Sequence, residues 1–322
     1  MTPVELSRTV LHAVRRAVDG GELRVAVPER VAVGPPGPGG CGDYATNVAL
    51  QLARAAGRPP RQVAEVLLPH LARADGVTGV AITGPGFLNI SLDGHTFAEL
   101  VRRILREGPR YGHSDALAGR TVELRVPYEV RAEAVADALA RIVGSQGGRA
   151  EVVHREPVNL RPVPAPEDPA PLGPDAARWA LLHPAPHDRP RITAGHLLQR
   201  ESNPLFRVRY AHARTRALTR NAAALGFASE PGALDDQAPL EALLADHPRV
   251  LAASAAHHAP DRLARHLVTV ADAVLPLLPG VLPRGEEKPS AAHRARLALA
   301  EAAGTVLAGG LSLLGIDAPD HL

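Results

Sequence analysis

The chain reads as an α+β N-terminal domain, then a short βαβ-like unit, then an all-α antiparallel helical bundle. Three observations in the 322 residues carry that division. Two short β-type runs flank the turn Gly84-Pro85-Gly86 among amphipathic stretches. Seven prolines fall within residues 157–174, too many for regular structure. Beyond them, three apolar seams recur at spacings of three and four residues. The expected divisions are 1–118 for the first domain, 119–154 for the βαβ-like unit, 155–174 for an extended linker and 175–322 for the bundle.

The first helix is announced by Thr2-Pro3-Val4-Glu5, a capping box with proline at the first helical position. Leu6, Val10, Ala13, Val14 and Ala17 line one face of it before Gly20-Gly21. A Gly/Pro-rich loop covers residues 34–42, after which Asp43 is placed to cap a helix through Ala56, and Pro59-Pro60 opens another through Arg73. Residues 77–83 and 87–92 are the two strands, and Asp93 is placed to cap a helix ending near Glu107. A strand at 121–126, a helix at 131–143 and a strand at 150–153 make the βαβ-like unit. A lone unit of this kind cannot cover both faces of a parallel sheet, so it must lean on another layer.

In the bundle, Val208, Ala211, Thr215, Leu218, Ala222 and Leu225 form one seam, and Leu263, Leu267, Val270 and Val274 a second. Leu297, Ala300, Gly304, Leu307, Leu311 and Leu314 form the third, with Ser290 as its cap and Gly315 as its stop. Residues 240–244 and 250–256 read as shorter helical pieces.

Composition narrows the function. Hydrophobic residues make up 45% and charged residues 22%, as in an ordinary globular protein, so a disordered chain is excluded. Aromatics are only 3%, which leaves packing to Leu, Val and Ala. The single cysteine, Cys41, excludes an intrachain disulfide and a multi-cysteine zinc site, and it fits a reducing, cytoplasmic setting. No basic-then-apolar leader opens the chain. The apolar runs near 273–283 and 304–316 are short and broken by Pro and Gly, so no membrane partner is expected.

A net charge of +2 does not by itself point to a polyanion. Yet Lys288 is the one lysine among 36 basic residues, and the arginine fork suits phosphate, although a compositional bias toward arginine gives the same count. Five of the arginines fall within residues 207–220, where Arg209, His212, Arg216 and Arg220 share a face beside the first seam. Tyr210 sits among them, so phosphate donors and a stacking ring come together. A solvated arginine face beside a core tyrosine is the plainer alternative.

No catalytic constellation emerges. His257-His258 with His247, Asp246 and Asp261 match no compact metal motif, nor do His183, His187 and His196, so no metal is expected. The glycines of 34–42 do not follow a strand in a βαβ unit, and Ser145 and Ser202 lack a nucleophile-elbow context. No cofactor is expected.

Two stretches go beyond pattern. Gly42-Asp43-Tyr44-Ala45-Thr46-Asn47-Val48-Ala49-Leu50-Gln51-Leu52-Ala53, then Pro60-Arg61-Gln62-Val63-Ala64-Glu65 and Gly84-Pro85-Gly86-Phe87-Leu88-Asn89, resembles the N-terminal additional domain of arginyl-tRNA synthetases. Asn203-Pro204-Leu205-Phe206-Arg207-Val208-Arg209-Tyr210-Ala211-His212-Ala213-Arg214, preceded by Asp175-Ala176-Ala177-Arg178, resembles that family's DALR-type anticodon-binding domain. The closing Leu311-Ser312-Leu313-Leu314-Gly315-Ile316-Asp317-Ala318-Pro319 matches the same domain. The resemblance implies tRNA as partner. It implies that Phe87 and Asn89 meet a base of the tRNA elbow, by stacking and by amide hydrogen bonds. It places Asn203, Arg207, Arg209, Tyr210, His212, Arg214 and Arg216 at the anticodon stem-loop.

The same resemblance makes the βαβ-like unit a short remnant of a class I synthetase Rossmann domain. The family's His-x-Gly-His turn is missing from it, since no histidine occurs in residues 114–153. Glu129 and Glu133 at its helix start would repel phosphate. Lys288 is misplaced for the family's Lys-Met-Ser-Lys-type loop, and the roughly twenty residues between Val153 and Asp175 cannot hold a nucleotide-binding sheet. The family's aromatic cluster before its Val-Leu-Pro turn is replaced by Val274-Leu275-Pro276-Leu277-Leu278-Pro279. The expectation is a non-catalytic relative that binds tRNA. A protein-interaction module that engages a synthetase or another enzyme is the alternative, as is a ligase role only beside a partner's catalytic domain.

Overall fold

The computed structural model describes residues 2–92, 94–234 and 237–322. The chain groups into two compact units, residues 1–100 with 235–245 and residues 101–234 with 246–322. The expected breaks at 118, 154 and 174 do not reappear, because the βαβ unit, the Pro-rich stretch and most of the bundle share the second unit.

In the first unit, helix α1 (Pro3–Asp19) starts with the anticipated box: the Thr2 hydroxyl accepts from Glu5 N, and Thr2 N donates to the Glu5 carboxylate at 2.7 Å. Helices α2 (Val48–Ala56) and α3 (Pro60–Ala72) pack on each other, and α3 also meets α1. Strands β1 (Val33–Gly34), β2 (Tyr44–Thr46), β3 (Val77–Thr83) and β4 (Phe87–Leu92) form an antiparallel sheet in the order β1-β2-β4-β3. Leu6, Val10 and Val14, with Val63, Leu67 and Leu71, meet Leu88 and Ile90 in one fully buried core. Each such side chain contributes roughly 1.5–3 kcal/mol on burial.

Strands β1 and β2 were not expected, and Asp43 is not a helix cap. Its carboxylate accepts from Leu92 N at 2.8 Å, and α2 begins only at Val48. Tyr44-Ala45-Thr46 suits a pleated, half-buried strand, so the chain pairs with β4 before it turns helical. The cap expected at Asp93 lies outside the described residues. Helices α4 (Gly94–Glu107) and α8 (Ala238–Ala256) each supply residues to both units.

In the second unit, β5 (Thr121–Arg125) and β6 (Arg149–Val153) are parallel and in register from Thr121↔Arg149 to Arg125↔Val153. Helix α5 (Val130–Ser145) joins them and leans on α6 (Gly173–Leu182), α9 (Pro260–Val274) and α10 (Ala291–Leu314). These helices are the added layer that a two-stranded parallel ribbon requires. The Pro-rich stretch has no regular structure before a short turn at Ala170–Leu172, but it is a fastened strap and not a free spacer. Asn159 bonds Arg125 N at 2.8 Å and Glu123 O at 2.9 Å, and Val163 N donates to Pro186 O at 2.8 Å.

Arg131 completes the fastening. Its guanidinium, 1% exposed, donates to five carbonyls: Leu181, Val163, Asp188, Pro184 and Ala185, at 2.7–3.0 Å.

The three seams are buried as expected, on α7 (Pro204–Ala224), α9 and α10. Leu225 is the exception, exposed because α7 ends at Ala224. The two short pieces at 240–256 are one helix, α8, which continues through Pro248 because Leu244 and Leu251 are both buried and hold either side of it. The last apolar run is longer than its breaks suggested. Among the described residues α10 is the one helix long and apolar enough to cross a membrane, yet most of that stretch is buried against α5, α6, α7 and α9. Ser290 and His293 cap it, and Gly315 stops it in a left-handed conformation.

Helices α7 and α10 approach closely at Gly304. A Cβ there would lie 2.2 Å from Thr215 Oγ1, a buried hydroxyl that donates to His212 O at 2.7 Å. Gly304→Ala should therefore lower stability by about 1–3 kcal/mol in urea unfolding, although alanine is the better helix former by roughly 1 kcal/mol.

Candidate nucleic-acid interface

Helix α7 begins where Asn203 caps it. The Asn203 amide oxygen accepts from Leu205 N, while its NH2 donates to His196 O at 2.8 Å and Leu198 O at 2.9 Å. Asn203 is buried and fixes the loop before the helix, so it is a scaffold residue here and presents nothing outward.

The face expected to carry phosphate donors is already occupied. Arg209 pairs with Asp175 and donates to Asp317 O at 3.0 Å. Arg216 pairs with Asp320 at 3.1 Å, and Arg220 reaches Asp320 O and the His321 ring. Residues 317–321, which follow α10, thus run along this face of α7. His212 is buried, bonds Pro319 O at 3.2 Å, and has its pKa lowered chiefly by burial, so it is a neutral ring inside the contact. Arg207 pairs with Asp272 at 3.0 Å.

What faces out is the neighbouring row. Phe206 and Tyr210 stack at 5.5 Å and 23°, and Arg214 follows four residues on. Tyr210 is 39% exposed, and Arg214 is exposed with no ion pair among the described residues. A cleft of about 270 Å³, lined by Phe206, Leu197, Leu198 and Arg209, opens beside this row. Rings, a free guanidinium and a cleft of mixed apolar and polar lining together suit an unstacked base next to its phosphate. Phe206 was missed in the sequence, although its position four residues before Tyr210 was the signal.

The Asp-Ala-Ala-Arg stretch acts as a staple. Asp175 holds Arg209 and Asp317 N, and Arg178 donates to Gly315 O at 2.7 Å and reaches Asp137 on α5.

On the first unit, Phe87 is 39% exposed at the end of β4, but Asn89 is 2% exposed. The Asn89 amide donates to Thr83 Oγ1 at 2.7 Å and accepts from Cys41 N at 3.3 Å. The Gly/Pro-rich loop covers it so tightly that a Cβ at Gly40 would lie 2.8 Å from its Oδ1. Phe87 is therefore presented without the asparagine expected to accompany it.

At the β5–α5 junction, Tyr128 is 83% exposed and stacks on His154 at 4.1 Å. Glu129 caps α5: one carboxylate oxygen accepts from Ala132 N at 2.9 Å, the other from Ala165 N at 3.1 Å. A protein carboxylate thus fills the helix start at which an anion would otherwise be held. No group of three or more metal-ligating side chains occurs among the described residues.

Residues 5–92 match the family "Arginyl tRNA synthetase N terminal domain" and residues 208–322 match "DALR anticodon binding domain". The chain belongs to the arginyl-tRNA synthetase family. An arginine–tRNA ligase of Frankia alni is 45% identical over 157 residues, covering 46% of this chain and 28% of that protein. One from Paenarthrobacter aurescens is 42% identical over 160 residues, covering 46% and 29%. The chain thus spans less than a third of the length of these synthetases. By fold it is similar to the arginyl-tRNA synthetase of Thermus thermophilus (TM-score 0.73, 14% identity, all of both chains covered). It is also similar to that of Plasmodium falciparum (TM-score 0.71, 8% identity, 99% of each chain covered). The mixed α/β first part and helical last part fit the synthetase fold.

Proposed function

We propose that this chain is a non-catalytic, cytoplasmic synthetase relative that binds tRNA through its N-terminal domain and its DALR-type bundle. The observation that carries the reading is the outward row Phe206, Tyr210 and Arg214 on α7, of which Tyr210 and Arg214 lie within the match to an anticodon-binding domain. The βαβ unit is then a remnant of the Rossmann domain, its anion-binding helix start filled by Glu129. Phe87 supplies a stacking surface at the tRNA elbow, and Arg207, Arg209 and Arg216 serve as phosphate donors once their carboxylates are displaced.

Titration of labelled tRNA-Arg and of unrelated tRNAs tests this directly. Tyr210→Ala combined with Arg214→Ala should weaken tRNA-Arg binding at least tenfold, since one stacked base is worth about 1–3 kcal/mol. Binding that is equally weak for every tRNA and vanishes in moderate salt would defeat the specific reading. Arginine-dependent ATP–pyrophosphate exchange by the pure protein is expected to be absent, and measurable exchange would overturn the non-catalytic assignment. A cellular partner that survives ribonuclease treatment would instead favour a protein-interaction module.

A further inference from the structure

A second cleft lies in the unit that contains α7, between α6, α9 and the loop that follows α6. It measures about 570 Å³, and its walls carry Arg189, Arg191 and Arg265 with His183, His196 and the ring of Trp179. Asp188 is the one acidic residue that lines it. Arg265 is paired with Asp261, but Arg189 and Arg191 hold no carboxylate among the described residues. His196 bonds Arg191 O at 2.8 Å, and His183 stacks on Trp179 at 5.1 Å and 20°. Trp179 is fully buried, and its indole N–H finds no partner among the described residues. Burial first, then the positive field of Arg265, His196 and Arg207, lowers the pKa of His183.

The cleft is preformed. Arg131 clamps the carbonyls of Leu181, Pro184, Ala185 and Asp188 from behind, and Pro184, Pro186 and Pro190 fix φ along the loop. A wall already ordered loses little entropy when a ligand arrives. Two arginines free of ion pairs among the described residues, Arg189 and Arg191, on a wall with a single acidic residue, match the planar forked recognition of phosphate.

We propose that this cleft binds phosphate groups, those of a nucleotide or of an RNA backbone, with Arg189 and Arg191 as the principal donors. The site uses neither α7 nor the N-terminal domain, so it stands or falls apart from the tRNA reading above.

Trp179 is the chain's single tryptophan, so its emission reports on this cleft alone. The full chain, titrated in near-physiological salt with inorganic pyrophosphate, adenosine triphosphate and a single-stranded RNA oligonucleotide, should show a saturable change in emission with matching heat in calorimetry. Tightest binding of the triphosphate identifies the nucleotide as source, and tightest binding of the oligonucleotide identifies the backbone. Arg189→Ala with Arg191→Ala should raise the dissociation constant at least tenfold without changing the circular dichroism spectrum. No saturable signal by either method for all three probes, or an affinity untouched by the Arg189/Arg191 double variant, overturns the proposal.

Discussion

Arg131→Leu should lower the stability of the protein by about 3–5 kcal/mol, the range for removing one partner from a buried charged network. The leucine fills part of the space, but five carbonyls lose their donor at once, and carbonyls without water or a partner are costly. Arg131→Lys should restore little, because one ammonium with three donors at a single point cannot span acceptors that a planar fork reaches from two sides. The deficit should be local before it is global. Trypsin should cut the variant after Arg191, which isoleucine and not proline follows, faster than the wild-type protein, while urea unfolding reports the total loss. A variant as stable and as protease-resistant as the parent would show that the clamp carries no weight.

Acid should destabilise the same unit through two histidines. His266 and His247 stack at 5.3 Å, and His247 stacks in turn on Tyr111 at 5.9 Å. His266 Nε2 and His247 Nδ1 are buried without a hydrogen-bond partner among the described residues. Burial holds the His266 pKa down at about 4 and that of His247 well below the usual 6.5, where the neighbouring His266 adds to the effect. The unfolded chain takes up these protons near pH 6.5; the folded chain takes up that of His266 only at about pH 4, and that of His247 is likewise held off well below 6.5. The stability is therefore complete above pH 6.5 and falls as the pH drops toward 4, by roughly 1.4 kcal/mol per pH unit for each histidine. From pH 7.5 to pH 5 this amounts to about 2 kcal/mol for His266 alone. His266→Leu should flatten that part of the curve and be relatively most stabilising at pH 5. A pH profile that the substitution leaves unchanged would exclude the pair as the cause.

The parts of the fold that were legible share one property: their signal lies within a few residues. Val77–Thr83 and Phe87–Leu92 alternate around a Gly-Pro-Gly turn, and α1, α9 and α10 carry caps, seams or stops that repeat every turn. Strands β1 and β2, of two and three residues, are too short to show a period. The strap could not be seen because proline density says nothing of a guanidinium 32 residues upstream that binds Val163 O. The site was legible in composition but not in orientation. Tyr210 and Arg214 do face out, whereas Arg209, Arg216 and Arg220 meet a segment about a hundred residues later in the chain, which no local pattern reveals. Asn89 failed for a similar reason, since Cys41, its loop partner, lies 48 residues before it.

The carboxylates on α7 have a thermodynamic consequence of their own. Arg207, Arg209 and Arg216 each keep a resident anion, from Asp272, Asp175 and Asp320. A phosphate that reaches one of them replaces an anion and does not neutralise a bare charge, and the displaced carboxylate regains its own hydration and counter-ions. Such an exchange is nearly blind to ionic strength, whereas contact with the unpaired Arg214 releases counter-ions in the ordinary way. For the tRNA contact proposed above, the logarithmic dependence of affinity on salt should then count about one or two phosphates at this helix, fewer than its five arginines, with discrimination by geometry more than by charge.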